Sequence, residues 1–255
     1  MKHTSTTGSE APFLAVPLNH EAETNRHDTD RDEPNGFSRL HGSDANGDKS
    51  MERDAGGFGA QIVGLSLNDG VDSGTFGQLY QAFLRHQVLL FCDQSLTPQA
   101  QVEFGRQFGT LQLHVMNQYH SNAHPELYRL SNLDADGNPN GKHPDKGTLA
   151  WHTDGSWERV TGHATLLYAE AVPPAGAGGQ THFCDMYAAY KALAPRFADL
   201  TTLRAVHSLD CSRNRRHGHE PLTDEQRAKI PPVDHPVVRV HPETGRRALY
   251  LGDHA

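Results

Sequence analysis

The sequence predicts a mixed α+β fold that is rich in strands, with helices gathered mainly in its first half. Three patterns indicate this fold: apolar alternation typical of strands, apolar residues at helical spacing, and a strand–turn–strand pattern late in the chain. A chain of 255 residues is long enough for one large domain or two small ones. We expect residues 1–57 to form a disordered N-terminal extension and residues 58–255 to form the folded domain.

The expected extension has few apolar runs and mixes acidic, polar and small side chains without periodicity. It carries six basic and eleven acidic side chains, which is most of the net charge of −8. Such a segment buries too little apolar area to offset the entropy lost on ordering. The remaining residues are nearly neutral and have no basic stripe, so we expect no nucleic-acid partner.

The cysteines indicate a reducing compartment, and the apolar residues indicate no membrane span. No stretch approaches the roughly 20 apolar residues of a membrane span, and the first residues lack the apolar centre of a secretory signal. Cys92, Cys184 and Cys211 are far apart, which argues against a disulfide framework and against a cysteine zinc site. We therefore expect a cytoplasmic protein with no membrane partner.

The elements of the first half follow from local patterns. Residues 58–67 alternate in the manner of a strand, and residues 75–86 place apolar side chains on one face of a helix. Residues 87–92 are typical of a short buried strand. Thr97 followed by Pro98 predicts the start of a second helix, because threonine caps a helix and proline suits its first position.

The second half shows two further helix starts and a hairpin. Asp185 predicts the cap of a helix that runs to Leu193, and residues 223–226 form a capping-box pattern. Residues 235–240 and 247–251 predict the two strands of a hairpin, joined by a turn at residues 242–245.

The segment Trp-His-Thr-Asp-Gly-Ser-Trp, residues 151–157, carries the main chemical signal. On a strand, residues i and i+2 point to the same face, so His152 and Asp154 would present an imidazole and a carboxylate together. These are two of the three ligands of the facial triad that holds non-haem Fe(II) and leaves positions open. A second His-x-Asp pattern, His143 to Asp145, lies in a polar loop, and we interpret it as having no such role.

This segment and its surroundings resemble the taurine/2,4-dichlorophenoxyacetate dioxygenase family. The similar stretches are residues 79–88, 104–109, 151–157, 164–169, 173–174, 178–181 and 235–245. Members are Fe(II)- and 2-oxoglutarate-dependent oxygenases with a double-stranded β-helix, or jelly roll, and flanking helices. The resemblance extends from Phe58 to Ala255 and implies that fold and that chemistry for this chain.

The resemblance also implies roles for residues at the metal and at the co-substrate. His152 and Asp154 match the family's first two metal ligands. Thr181 matches the threonine that hydrogen-bonds 2-oxoglutarate, and a turn-capping role is the alternative for it. The implied reactants are 2-oxoglutarate, O₂ and a small organic acid.

Three residues are expected on the side of the organic substrate. His114 matches a pocket-lining histidine, with a structural core histidine as the alternative. Asn117 and Thr148 stand where taurine-acting members carry other residues, which weakens the contacts expected for a sulfonate. The resemblance therefore implies an aryloxyalkanoate-like or sulfonate-like acid as substrate.

In the family, the segment that ends here at Ala255 is followed by a further helix and the final strands. Those strands carry the second metal histidine and the arginine that binds 2-oxoglutarate. We expect the jelly roll to lack them and the activity to be impaired; the alternative is an inactive remnant or a non-enzymatic binding module. Unpaired strand edges would favour a homo-oligomer. The context of His254 resembles a substrate-side position, and we do not assign it to the metal.

Overall fold

The structure is a computed structural model. It describes the backbone of residues 14–17 and residues 57–134, 136–138, 140, 146–174, 176–216 and 221–255. These residues belong to two compact units. The first unit comprises residues up to 65 together with 72–93, and the second comprises residues 66–71 together with 94–255.

The first unit is built on a three-stranded sheet. Its strands are β1 (Leu14–Pro17), β2 (Ala60–Val63) and β3 (Leu89–Phe91), with β2 in the middle. β2 pairs antiparallel with β1 and parallel with β3. A parallel pair needs a long crossover, and helix α1 (Ser73–His86) supplies it.

The ends of these elements are fixed by local chemistry. The Asp72 side chain accepts hydrogen bonds from the main-chain N–H groups of Gly74 and Thr75, which starts α1 two residues before the predicted position. Gly59 and Gly64, both at positive φ, flank β2 and explain why it is shorter than predicted. The predicted helix and both predicted strands of this region are confirmed. The burial predicted for the second strand is wrong, because Leu90 in β3 is 44% exposed.

Four residues of the expected N-terminal extension form a strand. Leu14–Pro17 pair along β2, with Leu14 opposite Val63 and Pro17 opposite Ala60. The rest of residues 1–56 lies outside the described residues. The disorder predicted for them stays a prediction.

The second unit contains four α-helices among its described residues. They are α2 (Pro98–Arg106), α3 (Met186–Leu193), α4 (Leu209–Arg216) and α5 (Asp224–Lys229). Side-chain caps start three of them, and all three caps, at Thr97, Asp185 and Thr223, were predicted. Helix α4 was not predicted, because its polar, arginine-rich sequence has no apolar periodicity.

Two antiparallel strand pairs complete the second unit. β4 (Arg204–His207) pairs with β5 (Val233–Pro236), and β6 (Val238–Val240) pairs with β7 (Arg247–Leu249). The predicted hairpin is confirmed for β6 and β7. Its proposed first residues, 235 and 236, belong instead to β5. The separation falls at Val237, whose N–H donates to the Leu203 carbonyl.

The motif at residues 151–157 is not in a strand. The chain turns directly after Asp154, with Gly155 at φ 65° and a hydrogen bond from the Glu158 N–H to the Gly155 carbonyl. Residues 164–169 also lie outside the strands of the structure. The described residues confirm a mixed fold of helices and sheets, whereas the jelly roll stays a prediction.

A buried apolar cluster lies behind the motif. Its members are Met116, Trp157, Leu209, Leu222 and Ile230. Because Trp157 closes the motif, this cluster anchors one end of the segment that carries His152 and Asp154. Within the described part of the chain, no helix combines the length and apolar character needed to cross a bilayer.

Leu222→Ala tests this cluster. Leu222 is 2% exposed, so the truncation removes buried methyl groups and leaves a cavity. We expect the free energy of unfolding to fall by about 2–5 kcal/mol in urea titrations. Leu167 is 71% exposed, so Leu167→Ala should change the free energy of unfolding by less than about 0.5 kcal/mol. Equal losses in the two variants would contradict the buried position of Leu222.

Candidate active site

The side chains of His152 and Asp154 lie side by side at the surface of the second unit. His152 Nε2 is 3.2 Å from Asp154 Oδ1, and His152 Nδ1 is 2.8 Å from the Ala150 carbonyl oxygen. The two side chains are 26% and 54% exposed, so a small ligand can reach them. The predicted pairing of imidazole and carboxylate is present, although a turn rather than a strand produces it.

The Ala150 carbonyl determines which nitrogen of His152 carries the proton. A carbonyl oxygen only accepts, so Nδ1 donates to it. Nε2 then faces Asp154 either with a proton, as a hydrogen-bond donor, or with the lone pair that a metal ion would take. Two electron-rich atoms at this distance need a proton or a cation beside them, and histidine metal ligands are commonly oriented through such a carbonyl. The donor pair therefore fits a divalent cation.

No larger metal-binding group is present in the described residues. Among them, no set of three or more histidine, cysteine, aspartate or glutamate side chains is placed to hold a metal ion. The second His-x-Asp pattern, His143 to Asp145, lies outside the described residues.

Asp154 is held in its ionised form. The hydrogen bond from His152 holds the pKa of the Asp154 carboxyl below its ordinary value, and a hydrogen bond from the Thr165 side chain acts in the same direction. Burial opposes this shift without reversing it. At neutral pH the site therefore offers a carboxylate, the state that binds a metal ion.

His254 lies beside this pair. Its ring centroid is 5.9 Å from that of His152 and 4.5 Å from that of Trp157, which it meets edge to face. Burial, followed by the proximity of His152, lowers the pKa of His254 to about 4, so its imidazole is neutral at pH 7.

A close backbone contact brings His254 to this position. The Asp253 N–H donates to the Trp151 carbonyl at 2.8 Å. A Cβ at Gly252 would lie 3.0 Å from the Cα of His152, so the two backbones can approach only because residue 252 is glycine. The sequence alone did not indicate this contact, because the two residues are 100 positions apart.

His114 packs against the same tryptophan. Its ring centroid is 5.8 Å from that of Trp157 and 4.7 Å from that of Tyr128, and its Nδ1 accepts a hydrogen bond from the Met116 N–H. These contacts are of the kind expected for a structural core histidine, the alternative role for His114. Its predicted position in the substrate pocket stays a prediction.

The other three predicted site residues are exposed. Asn117 lies in a short 3₁₀ helix, Asn117–Tyr119, and Thr148 lies in another, Lys146–Leu149. Thr181 lies in the segment that precedes α3. The substrate and co-substrate roles of these residues stay predictions.

Comparison with known proteins identifies the family. The family model described as taurine catabolism dioxygenase TauD, TfdA family, matches residues 49–255. This match defines the class of protein: a dioxygenase. The chain belongs to the TauD/TfdA family, which confirms the resemblance seen in the sequence.

Individual relatives agree with this assignment. The (S)-phenoxypropionate/alpha-ketoglutarate-dioxygenase of Sphingobium herbicidovorans is 35% identical over 211 residues, which cover 78% of this chain and 68% of the relative. The alpha-ketoglutarate-dependent 2,4-dichlorophenoxyacetate dioxygenase of Cupriavidus pinatubonensis is 35% identical over 208 residues, covering 78% and 71%. The crystal structure of AAD-2 in complex with Mn(II) and N-oxalylglycine has a TM-score of 0.59 at 32% identity, covering 78% and 67%.

The family and these relatives are alpha-ketoglutarate-dependent dioxygenases. The predicted enzyme class is therefore confirmed, and so are Fe(II) and 2-oxoglutarate as the implied cofactor and co-substrate.

The low pKa of His254 makes stability depend on pH. Burial places this pKa at about 4, compared with 6.5 for an ordinary histidine, so between these values the unfolded chain binds a proton that the native protein does not. Stability should therefore fall as the pH is lowered from about 6.5 to about 4. Urea titrations at several pH values should show this slope reduced in His254→Gln.

His163→Gln is the control for this experiment. The His163 side chain is 41% exposed, so this variant controls for the loss of one histidine. The slope should be reduced more in His254→Gln than in His163→Gln. A slope that is the same in His254→Gln and in the parent protein would contradict the burial of the His254 ring.

Proposed function

We propose that this chain is an Fe(II)- and 2-oxoglutarate-dependent dioxygenase that hydroxylates a small organic acid, with His152 and Asp154 as ligands of the ferrous ion. The observation that carries the proposal is the orientation of His152. Its Nδ1 is committed to the Ala150 carbonyl, while its Nε2 faces the ionised carboxylate of Asp154. Imidazole and carboxylate are donors that suit non-haem Fe(II).

The protein contributes orientation and charge to this reaction. When bound, the ferrous ion supplies the chemistry that couples decarboxylation of 2-oxoglutarate to oxidation of a substrate C–H bond by O₂. The Ala150 carbonyl fixes the His152 ring. In the metal-free protein, hydrogen bonds from His152 and Thr165 keep Asp154 ionised, so the carboxylate is ready to bind the metal. We assign to Thr181 the hydrogen bond to 2-oxoglutarate.

The aromatic surroundings favour an aryloxyalkanoic acid as substrate. The rings of His114 and His254 are half-buried, and both pack against Trp157 within 6 Å. Such a surface suits a flat aromatic ring, and the neutral His254 imidazole can donate one hydrogen bond to a carboxylate. Asn117 and Thr148 are assigned to the same side, as the resemblance implies. The names of two relatives, which refer to phenoxypropionate and 2,4-dichlorophenoxyacetate, agree with this class.

We also propose that residues 58–255 form the oxygenase domain and that its architecture follows the jelly roll of the family. The likeness to AAD-2, at 32% identity and a TM-score of 0.59, supports this proposal.

Metal binding tests the His152–Asp154 assignment directly. Adding Fe(II) and 2-oxoglutarate to the parent protein without oxygen should produce the visible charge-transfer band of the iron chelate. His152→Ala and Asp154→Ala should each weaken iron binding by at least about tenfold. Mutating a residue that only hydrogen-bonds a metal ligand already reduces metal affinity by about that factor. His163→Ala is the matched control, because that imidazole lies near Glu243 instead. A folded parent protein with no band would favour a non-enzymatic binding module.

The substrate class is tested by a panel of acids. We expect 2,4-dichlorophenoxyacetate and (S)-phenoxypropionate to raise succinate formation above the level without substrate, and taurine to leave it unchanged. The physical reason is that the His114 and His254 rings offer aromatic contact area that taurine cannot use. A preference for taurine would contradict this part of the proposal.

A further inference from the structure

Ser212, on helix α4, makes a buried contact with the His254 ring. Ser212 is buried, with only 3% of the residue exposed. The Oγ atom lies 2.7 Å from His254 Nδ1 and 3.0 Å from the Leu209 carbonyl oxygen. No metal ligand is involved in either hydrogen bond.

A single hydroxyl proton serves these two partners. If the hydroxyl donates to Leu209, then the N–H of His254 Nδ1 donates to Oγ, and Nε2 has no proton. If the hydroxyl donates to Nδ1, then Nε2 carries the proton of the neutral ring. In both states Ser212 occupies Nδ1, so Nε2 is the nitrogen left for a ligand.

The rest of the ring is also held. The Trp157 ring meets it edge to face, with 4.5 Å between the ring centroids. In the adjacent backbone, the Asp253 N–H donates a hydrogen bond to the Trp151 carbonyl. Ser212 is the partner that determines the rotation of the imidazole about its last bond, because the contacts with Trp157 do not distinguish the two ring nitrogens.

We propose that Ser212 is a positioning residue for substrate binding: it holds the His254 imidazole, whose centroid is 5.9 Å from that of His152, so that Nε2–H hydrogen-bonds the carboxylate of the organic acid. This inference rests on the proposed function. An anion at Nε2 selects the state in which the serine hydroxyl turns from Leu209 to Nδ1, because only that state gives a neutral ring with a donor facing the anion. Without the hydroxyl, Nδ1 would be buried without a partner and the ring would lose its fixed orientation.

The test compares Ser212→Ala with Ser208→Ala. Ser208 is also buried, at 5% exposed, and its hydroxyl accepts a hydrogen bond from the Cys211 N–H at the start of the same helix. Its main-chain N–H, which donates to the His254 carbonyl, is unchanged by the substitution. The control therefore removes an equivalent buried hydroxyl without touching the imidazole.

We expect Ser212→Ala to raise KM for 2,4-dichlorophenoxyacetate by roughly tenfold or more, with kcat within about twofold of the parent. Ser208→Ala should leave KM unchanged, and Ser212→Thr should restore it. In ¹⁵N spectra of the histidine rings with this acid bound, the parent and Ser208→Ala should show His254 protonated at Nε2. Ser212→Ala should show mixed tautomers.

The outcomes separate this inference from the proposed function. A normal charge-transfer band with an unchanged KM and tautomer in Ser212→Ala would overturn the role of Ser212 alone. Equal losses of kcat in Ser212→Ala and Ser208→Ala would also overturn it, since they indicate a structural effect. If Ser212→Ala does not fold, Ser212→Cys keeps the volume with a weaker hydrogen bond, and an unchanged KM in that variant overturns the inference. No band in the parent protein would refute the proposed function, while the ring spectra would still test Ser212.

Discussion

The hydrogen bond between His152 Nδ1 and the Ala150 carbonyl is the constraint on which the site depends. Because the carbonyl can only accept, Nδ1 carries a proton and Nε2 is directed toward Asp154, where it can donate a second proton or offer a lone pair to a metal ion. An imidazole nitrogen and a carboxylate oxygen 3.2 Å apart can share a proton, and the same two atoms suit a metal ion that takes its place. The turn at Gly155 keeps the two side chains together without help from a sheet.

Trp157 joins this site to the interior of the second unit. It is buried with Met116 and Leu222 in the apolar cluster, and its ring also meets those of His114 and His254. Changes in the packing of the cluster therefore reach the side of the site where we place the substrate. The metal pair is less dependent on this packing, because its geometry comes from main-chain contacts within a few residues.

Local chemistry explains what the sequence could predict. The caps at Thr97, Asp185 and Thr223 and the pairing of His152 with Asp154 each depend on residues within a few positions of one another. The contact between Ser212 and His254 spans 42 residues and depends on α4, whose polar sequence gives no periodic signal. The pattern of the late hairpin likewise could not show that β5 pairs with β4, since alternation identifies a strand but not its partner.

The site therefore combines two groups of side chains with different chemistry: the His152–Asp154 pair, and His254 with Ser212. A histidine and a carboxylate side by side suit several divalent cations, so the pair alone does not define the reaction, and membership of the TauD/TfdA family restricts it to Fe(II) and 2-oxoglutarate. The neutral His254 and its buried serine add nothing to the charge that holds a cation. Their chemistry suits recognition of a ligand, because a neutral donor can bind a carboxylate without competing with Asp154 for the metal. Substrate preference can thus change through residues around His254 while the pair that holds the metal stays the same.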